Sequence, residues 1–254
     1  MFHIGKVVEN IAINNSRDIV KMTVSLDSEV ILNVKPGQFA YITVPGGKAF
    51  LKRPISIAHN NGRELVFIYR KVGIGTEELS KIVIGSEIEL MVPLGNGYEY
   101  LPTKNYIALV GGGVGIPPLW ELSKVLKRRG NVLDIYLGFK TKTDIFLMEE
   151  LSLYGTVYVA TEDGSFGYKG FITDVISDVA SSKYDCIFGC GPLPMLKEVK
   201  KHSNLFTKGL VSLEERMACG FGVCMGCTVD TTRGRVRVCK EGPVFPLEEV
   251  FIVD

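Results

Sequence analysis

Over the first 98 residues, apolar and polar positions alternate in short runs, the period-two pattern of half-buried strands. Strands are predicted at 21–26 (KMTVSL), 40–44 (AYITV), 53–58 (RPISIA), 64–70 (ELVFIYR) and 87–92 (EIELMV). The Pro/Gly/Asn segments VKPGQ, PGGK and HNNGRE separate them, so a small antiparallel barrel is expected. One helical signal interrupts the strands: TEELSKIV, with Thr76 as N-cap and two glutamates in the first turn.

From Tyr106 the period changes. Continuous apolar runs (YIALVGG, VLDIYLGF, VYVATED, YDCIFGCG) alternate with amphipathic ones (PPLWELSKVLKRRG, DIFLMEELSLYG, GFITDVISDVASS, LPMLKEVKKHS). That alternation predicts βαβ units around a parallel sheet. After Lys208 it stops, and a cysteine-rich tail follows. No internal repeat or low-complexity segment interrupts the order.

Composition adds exclusions. The 254 residues are 46% hydrophobic and 22% charged, with net charge +1. That balance gives no reason to expect nucleic acid or an anionic membrane surface as partner. MFHIGKVVEN lacks the apolar core of a signal peptide. The longest apolar stretch, YIALVGGGVGIPPLW, is broken by four glycines and two prolines and is no spanning helix. Six cysteines without a secretory signal suggest a cytoplasmic protein whose thiols bind metal or do redox work.

The chemistry concentrates in four places. In ERMACGFGVCMGCTVD, Cys219, Cys224 and Cys227 are spaced C-x4-C-x2-C, and Cys239 follows with eleven residues between. The first three have the plant-type spacing of a [2Fe–2S] cluster, with Gly220, Gly222 and Gly226 allowing a tight loop. Structural zinc is the rival, although zinc sites usually pair C-x2-C knuckles. Plant-type ferredoxins place the fourth cysteine further on, so a simple fused ferredoxin is not expected.

In RPISI, Arg53 offers a charge to a phosphate or a reduced flavin, and Ser56 a hydrogen bond near an isoalloxazine ring. Gly73, Gly75 and Thr76 open the predicted helix, whose N-terminus suits a pyrophosphate. GGGVG, with Gly111, Gly112, Gly113 and Gly115, follows a strand and opens a helix, as a dinucleotide turn must. It departs from G-x-G-x-x-G, and LGFKTKTD lacks the usual ribose-binding carboxylate at the end of the second strand. Lys140 and Lys142 near that spot leave NAD against NADP open. Cys190, Gly191 and Pro192 end another strand, where ligands of α/β sheets sit. Cys190 is a candidate catalytic residue near a nicotinamide, while Cys186 reads as core. Glu162, Asp163 and Ser165 are candidate cofactor contacts in a glycine-rich loop. His3, His59 and His202 have no partner at metal or triad spacing, and Trp120 reads as core.

A barrel bearing RPISI and GIGT, then an α/β domain bearing GGGVG and CGP, resembles the ferredoxin–NADP reductase superfamily. The tail MACGFGVCMGCTVD…VCKEGPVF narrows this. With LKRPISIA, IYRKVGIGT, TEDGSFGYKGFITD and CGPLPML, it resembles the electron-transfer subunits of class 1B dihydroorotate dehydrogenase, the PyrK family, essentially end to end.

The resemblance implies FAD on Arg53, Pro54, Ile55, Ser56, Ile68, Tyr69, Arg70, Gly75 and Thr76. It implies a [2Fe–2S] cluster on Cys219, Cys224, Cys227 and Cys239, and NAD(H) at the glycine turn, Glu162, Asp163, Gly191 and Pro192. It further implies an FMN-containing catalytic subunit that oxidises dihydroorotate, in a heterotetramer of two subunits of each kind. Electrons would pass from that subunit through the cluster and FAD to NAD+. The expected architecture is a multi-domain β and α/β protein. It comprises an N-terminal FAD-binding antiparallel β-barrel (1–98), a central parallel-sheet NAD-binding domain (99–208) and a C-terminal [2Fe–2S] module (209–254). Small subunits of NADPH:ferredoxin transhydrogenases and of sulfide dehydrogenase-like complexes are similar too, with a flavin motif closer to R-x-P-L-T. A zinc-stabilised interaction protein is the alternative from another class.

Overall fold

The structure, a computed structural model, describes residues 1–27, 32–179 and 184–251. The N-terminal strands are β1 (Phe2–Ala12), β2 (Ile19–Leu26), β3 (Phe39–Ile42), β4 (Arg53–Asn60), β5 (Glu64–Arg70) and β6 (Glu87–Leu94). They close a barrel in the order β1-β2-β5-β4-β3-β6, antiparallel at every pairing. Closure removes the free edges that an open sheet would expose. The interior is filled by Val7, Met22, Val24, Leu65, Phe67 and Leu90, all buried.

Strand β1 is absent from the hydrophobic pattern. Phe2 and Ile4 face solvent while Gly5 and Val7 face inward, so its apolar residues do not report its buried face. The helix in the barrel also differs from expectation. It runs as α1 from Ile74 to Ser80 and starts after Gly73 rather than at Thr76. The Thr76 hydroxyl, inside the first turn, instead accepts from the backbone N–H groups of Val72 (3.0 Å) and Gly73 (3.3 Å).

The second unit comprises β7 (Tyr106–Gly112), α2 (Pro117–Arg128), β8 (Val132–Phe139), α3 (Met148–Ser152) and β9 (Thr156–Thr161). It continues with β10 (Tyr168–Lys169), α4 (Ile172–Val179), β11 (Tyr184–Cys190) and α5 (Leu193–Lys201). Pro117 and Pro118 occupy the first helical turn of α2, where their missing N–H groups cost nothing. Helix α3 is one short turn, much less than its apolar pattern suggested.

The sheet order is β10-β9-β8-β7-β11-β12-β15. Strand β12 (Phe206–Ser212) pairs parallel with β11, and β15 (Val244–Pro246) pairs antiparallel with β12. The sheet thus runs on past residue 208 and draws in the C-terminal segment. Between them lies the hairpin of β13 (Thr228–Thr231) and β14 (Gly234–Arg237).

Barrel and sheet share a seam. Ala58, Val66 and Ile68 on the outer face of the barrel form one buried apolar layer with Leu119 and Leu122 of α2. His59 stacks on Trp120, with ring centroids 4.6 Å apart and planes at 16°. Glu121, 8% exposed, lies at the centre. Its carboxylate is 2.7 Å from His59 Nδ1, accepts from the Asn60 N–H (3.1 Å) and pairs with Lys124 (3.3 Å). Lys124 in turn donates to the Asn60 carbonyl (3.2 Å). The first contact is close but not an aligned hydrogen bond.

Removing the carboxylate strands the Asn60 N–H and the Lys124 ammonium in a buried seam. Glu121→Ala is expected to cost about 1–3 kcal/mol of stability, whereas Glu121→Gln retains an acceptor and loses less. Urea unfolding of the cofactor-loaded chain, followed by circular dichroism, measures both.

Candidate functional site

The flavin motifs, twenty residues apart in sequence, meet in space. Strand β4 carries Arg53, Pro54, Ile55 and Ser56, which pair in register with Ile42, Tyr41, Ala40 and Phe39 of β3. Arg53 crosses to α1. A Cβ added at Gly75 would lie 2.0 Å from Arg53 Nε, so only glycine leaves room for the guanidinium. Beside them on β5, Ile68 and Tyr69 are buried. The Tyr69 hydroxyl is buried without a hydrogen-bond partner among the described residues, and burial holds its proton firmly. An orphaned hydroxyl costs free energy unless a bound polar group meets it. A glycine-floored arginine and an unpartnered tyrosine fit a flavin nucleotide. Arg70, at the end of β5, is 3.0 Å from Asp18 and turns toward the sheet.

There it enters the wall of a cavity of about 650 Å³, a size suited to a nucleotide. The cavity lies at the carboxyl ends of the parallel strands, where open α/β sheets bind ligands. Gly112 and Gly113 at the β7 turn, Gly138 to Lys140 at the end of β8, Glu162 after β9 and Pro192 after β11 line it. The start of α4 and α5 close the far side through Ile172 and Met195. Gly111, Gly115, Asp163, Cys190 and Gly191 are not among its lining residues. Two glycines of the turn do different work. A Cβ at Gly115 would strike the Cys190 carbonyl at 2.3 Å, so Gly115 serves packing between chain segments. Gly113 has open space and φ +52°, the conformation that leaves backbone facing the cavity.

A carboxylate from beyond the neighbouring strand β9 stands near the end of β8. The Glu162 N–H donates to the Phe139 carbonyl (3.1 Å) and the Asp163 N–H to that of Lys140 (3.3 Å). The end of β9 is thereby fastened to the end of β8, and Glu162 stands in the cavity beside Lys140. Asp144, Asp174 and Glu198 add three more lining carboxylates against the cations Arg70 and Lys140. The Ser165 hydroxyl accepts from the Lys142 N–H (2.8 Å) and donates to Asp163 (2.6 Å), so it shapes the loop instead of facing the cavity. Cys190 is 2% exposed, and its thiol is pushed up to about 12 by burial and by Glu214, against a hydrogen bond with Ser212. It stays a neutral thiol at neutral pH.

The cysteine loop rests on β3 of the barrel, and Cys227 and Cys239 are buried in one apolar cluster with Phe39 and Phe245. Residues Gly220 (φ +78°), Gly222 (φ +90°) and Met225 (φ +60°) coil it into a nest of backbone N–H groups. Val223 and Cys224 N–H donate to Cys219 Sγ (3.3 and 3.5 Å), Gly226 N–H to Cys224 Sγ (3.4 Å) and Cys239 N–H to Cys227 Sγ (3.4 Å). Burial works against the Cys219 thiolate, but the N–H groups of Cys224, Phe221 and Val223 prevail and bring its pKa to about 6. Burial, then Cys227, pushes Cys239 up to about 12.

The thiols stand as two pairs, Cys219 facing Cys224 and Cys239 facing Cys227. Among the described residues, no three metal-ligating side chains converge on one point. Two pairs of thiols, each with N–H donors, suit a diiron cluster in which each iron would take one pair as thiolates. The β13–β14 hairpin explains the short reach to Cys239. It begins just after Cys227 and ends just before Val238, whose N–H returns to the Cys227 carbonyl (2.9 Å).

Comparison with known proteins agrees in detail. Residues 214–251 match the iron-sulfur cluster binding domain of dihydroorotate dehydrogenase B, and 109–201 an oxidoreductase NAD-binding domain. The chain is 43% identical to the dihydroorotate dehydrogenase B (NAD(+)) electron transfer subunit of Geobacillus sp. (strain WCH70), over 85% of this chain and 87% of that one. It is 37% identical to that of Streptococcus thermophilus, over 97% and 99%. The chain belongs to the dihydroorotate dehydrogenase B electron transfer subunits.

Among solved structures, the NADH-dependent reduced ferredoxin-NADP oxidoreductase studied for flavin-based electron bifurcation superposes with TM-score 0.88 at 30% identity, covering 97% of this chain and 89% of that one. The ferredoxin reductase of carbazole 1,9a-dioxygenase shares the fold, with TM-score 0.68 at 19% identity, over 81% and 68%. No helix among the described residues is long and apolar enough to cross a membrane.

The sequence reading of this electron transfer subunit missed Met195, the segment 170–174 and Tyr41, which faces the cysteine loop. Met195 and residues 170–174 lie within the CGPLPML and TEDGSFGYKGFITD stretches without having been singled out, whereas Tyr41 carries no motif and joins the site by tertiary packing alone. The thiol environments predict an order of reactivity. In the metal-free chain near neutral pH, iodoacetamide should modify Cys219 well before Cys186, Cys190 or Cys239, because the thiolate is the nucleophile. Peptide mass spectrometry over a time course reads that order.

Proposed function

We propose that this subunit takes electrons one at a time at Cys219, Cys224, Cys227 and Cys239 and releases them in pairs at the β7–β11 crevice. The donor is an FMN-containing catalytic subunit that oxidises dihydroorotate, in a heterotetramer of two subunits of each kind; the acceptor is NAD+. The observation that carries this reading is the arrangement of the cysteine loop, the Arg53–Gly75 cradle and the dinucleotide crevice around a single barrel. FAD exchanges one or two electrons, the [2Fe–2S] cluster one, and NAD+ accepts two as a hydride, so FAD belongs between the other two.

The chain's own residues then divide the work. The N–H nest around Cys219 stabilises thiolate charge and helps set the cluster potential. Arg53, held over Gly75, supplies fixed positive charge to the flavin nucleotide, with Pro54 to Ser56, Ile68 to Arg70 and Thr76 forming the rest of its bed. Gly112, Gly113 and Pro192 accept the dinucleotide backbone, and Glu162 takes the ribose contact that β8 lacks. Four carboxylates against two cations in the crevice disfavour an additional 2′-phosphate and favour NAD over NADP. Cys190 forms a neutral wall behind the nicotinamide position. Identity of 37–44% to the dihydroorotate dehydrogenase subunits, against 30% to the ferredoxin-linked oxidoreductase, favours this donor over a ferredoxin.

Co-expression with an FMN-containing catalytic subunit tests the reading. The complex should reduce orotate with NADH, and the chain alone should not oxidise dihydroorotate. Cys239→Ser should abolish the reduced-cluster paramagnetic signal and NADH-dependent orotate reduction, while NADH still reduces ferricyanide through FAD. Rapid dihydroorotate oxidation by the chain alone contradicts the division of labour.

A further inference from the structure

The loop that carries three of the four cysteines has no regular secondary structure from Met217 to Gly226, yet it is held against the barrel. Arg237 and Lys240 restrain its far side: Arg237 donates to the Gly222 carbonyl, and Lys240 packs where a Gly222 side chain would lie. Both belong to the cysteine module itself. From the barrel comes Tyr41. Its hydroxyl is placed to donate to the carbonyls of Met217 (2.9 Å) and Ala218 (2.8 Å), 176 and 177 residues away. Among the described residues, no other barrel side chain hydrogen-bonds this loop.

The phenol ring is part of the contact. A Cβ on Gly220 would lie 3.1 Å from Tyr41 Cγ and Cδ1, so the backbone beside Cys219 rests directly on the ring. The φ of +78° independently favours glycine there. Tyr41 is 2% exposed and sits in β3, paired with Pro54 of β4. The next residue along β4 is Arg53, which lies over Gly75. One buried side chain therefore spans from the flavin motif to the first cysteine of the cluster motif.

We propose that Tyr41 is a positioning residue that fixes the separation and alignment of the cluster loop relative to the flavin strand. It thereby sets the rate of electron exchange between the two centres and leaves hydride transfer untouched. This rests on the flavin and cluster assignments proposed above. In the exchange, one electron leaves the reduced flavin and one arrives at the oxidised cluster; no covalent bond forms or breaks. Such a transfer slows steeply with separation, whereas the hydride step depends on the crevice at the strand ends, which Tyr41 does not line.

Tyr41→Phe keeps the ring under Gly220 and removes only the two hydrogen bonds. Loaded with FAD and iron and mixed anaerobically with NADH, the variant should bleach its flavin at the wild-type rate. It should reduce its cluster about tenfold more slowly, as read by rapid freeze-quench paramagnetic resonance. Wild-type rates for both steps overturn the proposal, as does equal slowing of both.

Amide hydrogen exchange on the metal-free chain gives a readout independent of loading. Residues 217–220 should exchange faster in Tyr41→Phe while the barrel strands are unchanged. Unchanged exchange there overturns the proposal even where the variant holds iron poorly. A wild-type chain that binds neither FAD nor a cluster would instead overturn the functional reading, and the exchange result would stand apart from it.

Discussion

The site depends on strand β4 being gripped from both sides. One end, Arg53 to Ser56, is zipped to β3, and the other, His59 and Asn60, is clamped to α2 by Glu121 and Lys124. Through β3 the strand meets the cysteine loop, and through α2 it meets the β7 turn that opens the dinucleotide crevice. A chain that must pass electrons between separate centres needs their separations fixed. Within the closed sheet, β4 is paired to β3 along Arg53–Ser56 and to β5 along Ile57–Asn60, so moving it would break hydrogen bonds to both neighbours.

The same arrangement separates two kinds of chemistry. The cysteine loop lies toward the surface, with Cys224 and its neighbours Phe221, Val223 and Met225 exposed, where a partner's electrons can reach it. The crevice opens between the barrel end and the sheet, lined by backbone and carboxylates. Cys190, though near the strand ends, is buried and held neutral, unlike Cys219, whose thiolate is stabilised by three backbone N–H groups. Burial alone does not separate the cysteines: Cys239 is as buried as Cys190 and its thiol is likewise pushed up, but it faces Cys227 within the cysteine motif.

Much of this was legible in sequence because it is local. Continuous apolar strands betrayed the parallel sheet, and C-x4-C-x2-C marked the cluster loop. What escaped depends on distant partners. Strand β1 points its apolar residues outward, and β12 was hidden because it enters the sheet beside β11 after the helix–strand rhythm ends. The start of α1 was misplaced because Thr76 bonds backward to Val72 and Gly73 from within the helix. No carboxylate ends β8 itself; the register Phe139–Thr161 brings Glu162, which follows β9, to the end of β8. Tyr41 carries no motif at all, and its partners lie 176 residues away.

The central claim is that FAD in the barrel is the obligatory junction between nicotinamide and cluster. It is tested most directly by removing FAD from the chain while keeping its iron, then adding NADH under anaerobic conditions. The account predicts no reduced-cluster paramagnetic signal with NADH, a full signal with dithionite, and recovery of the NADH-driven signal when FAD is restored. Reduction of the cluster by NADH in the FAD-free chain would contradict it.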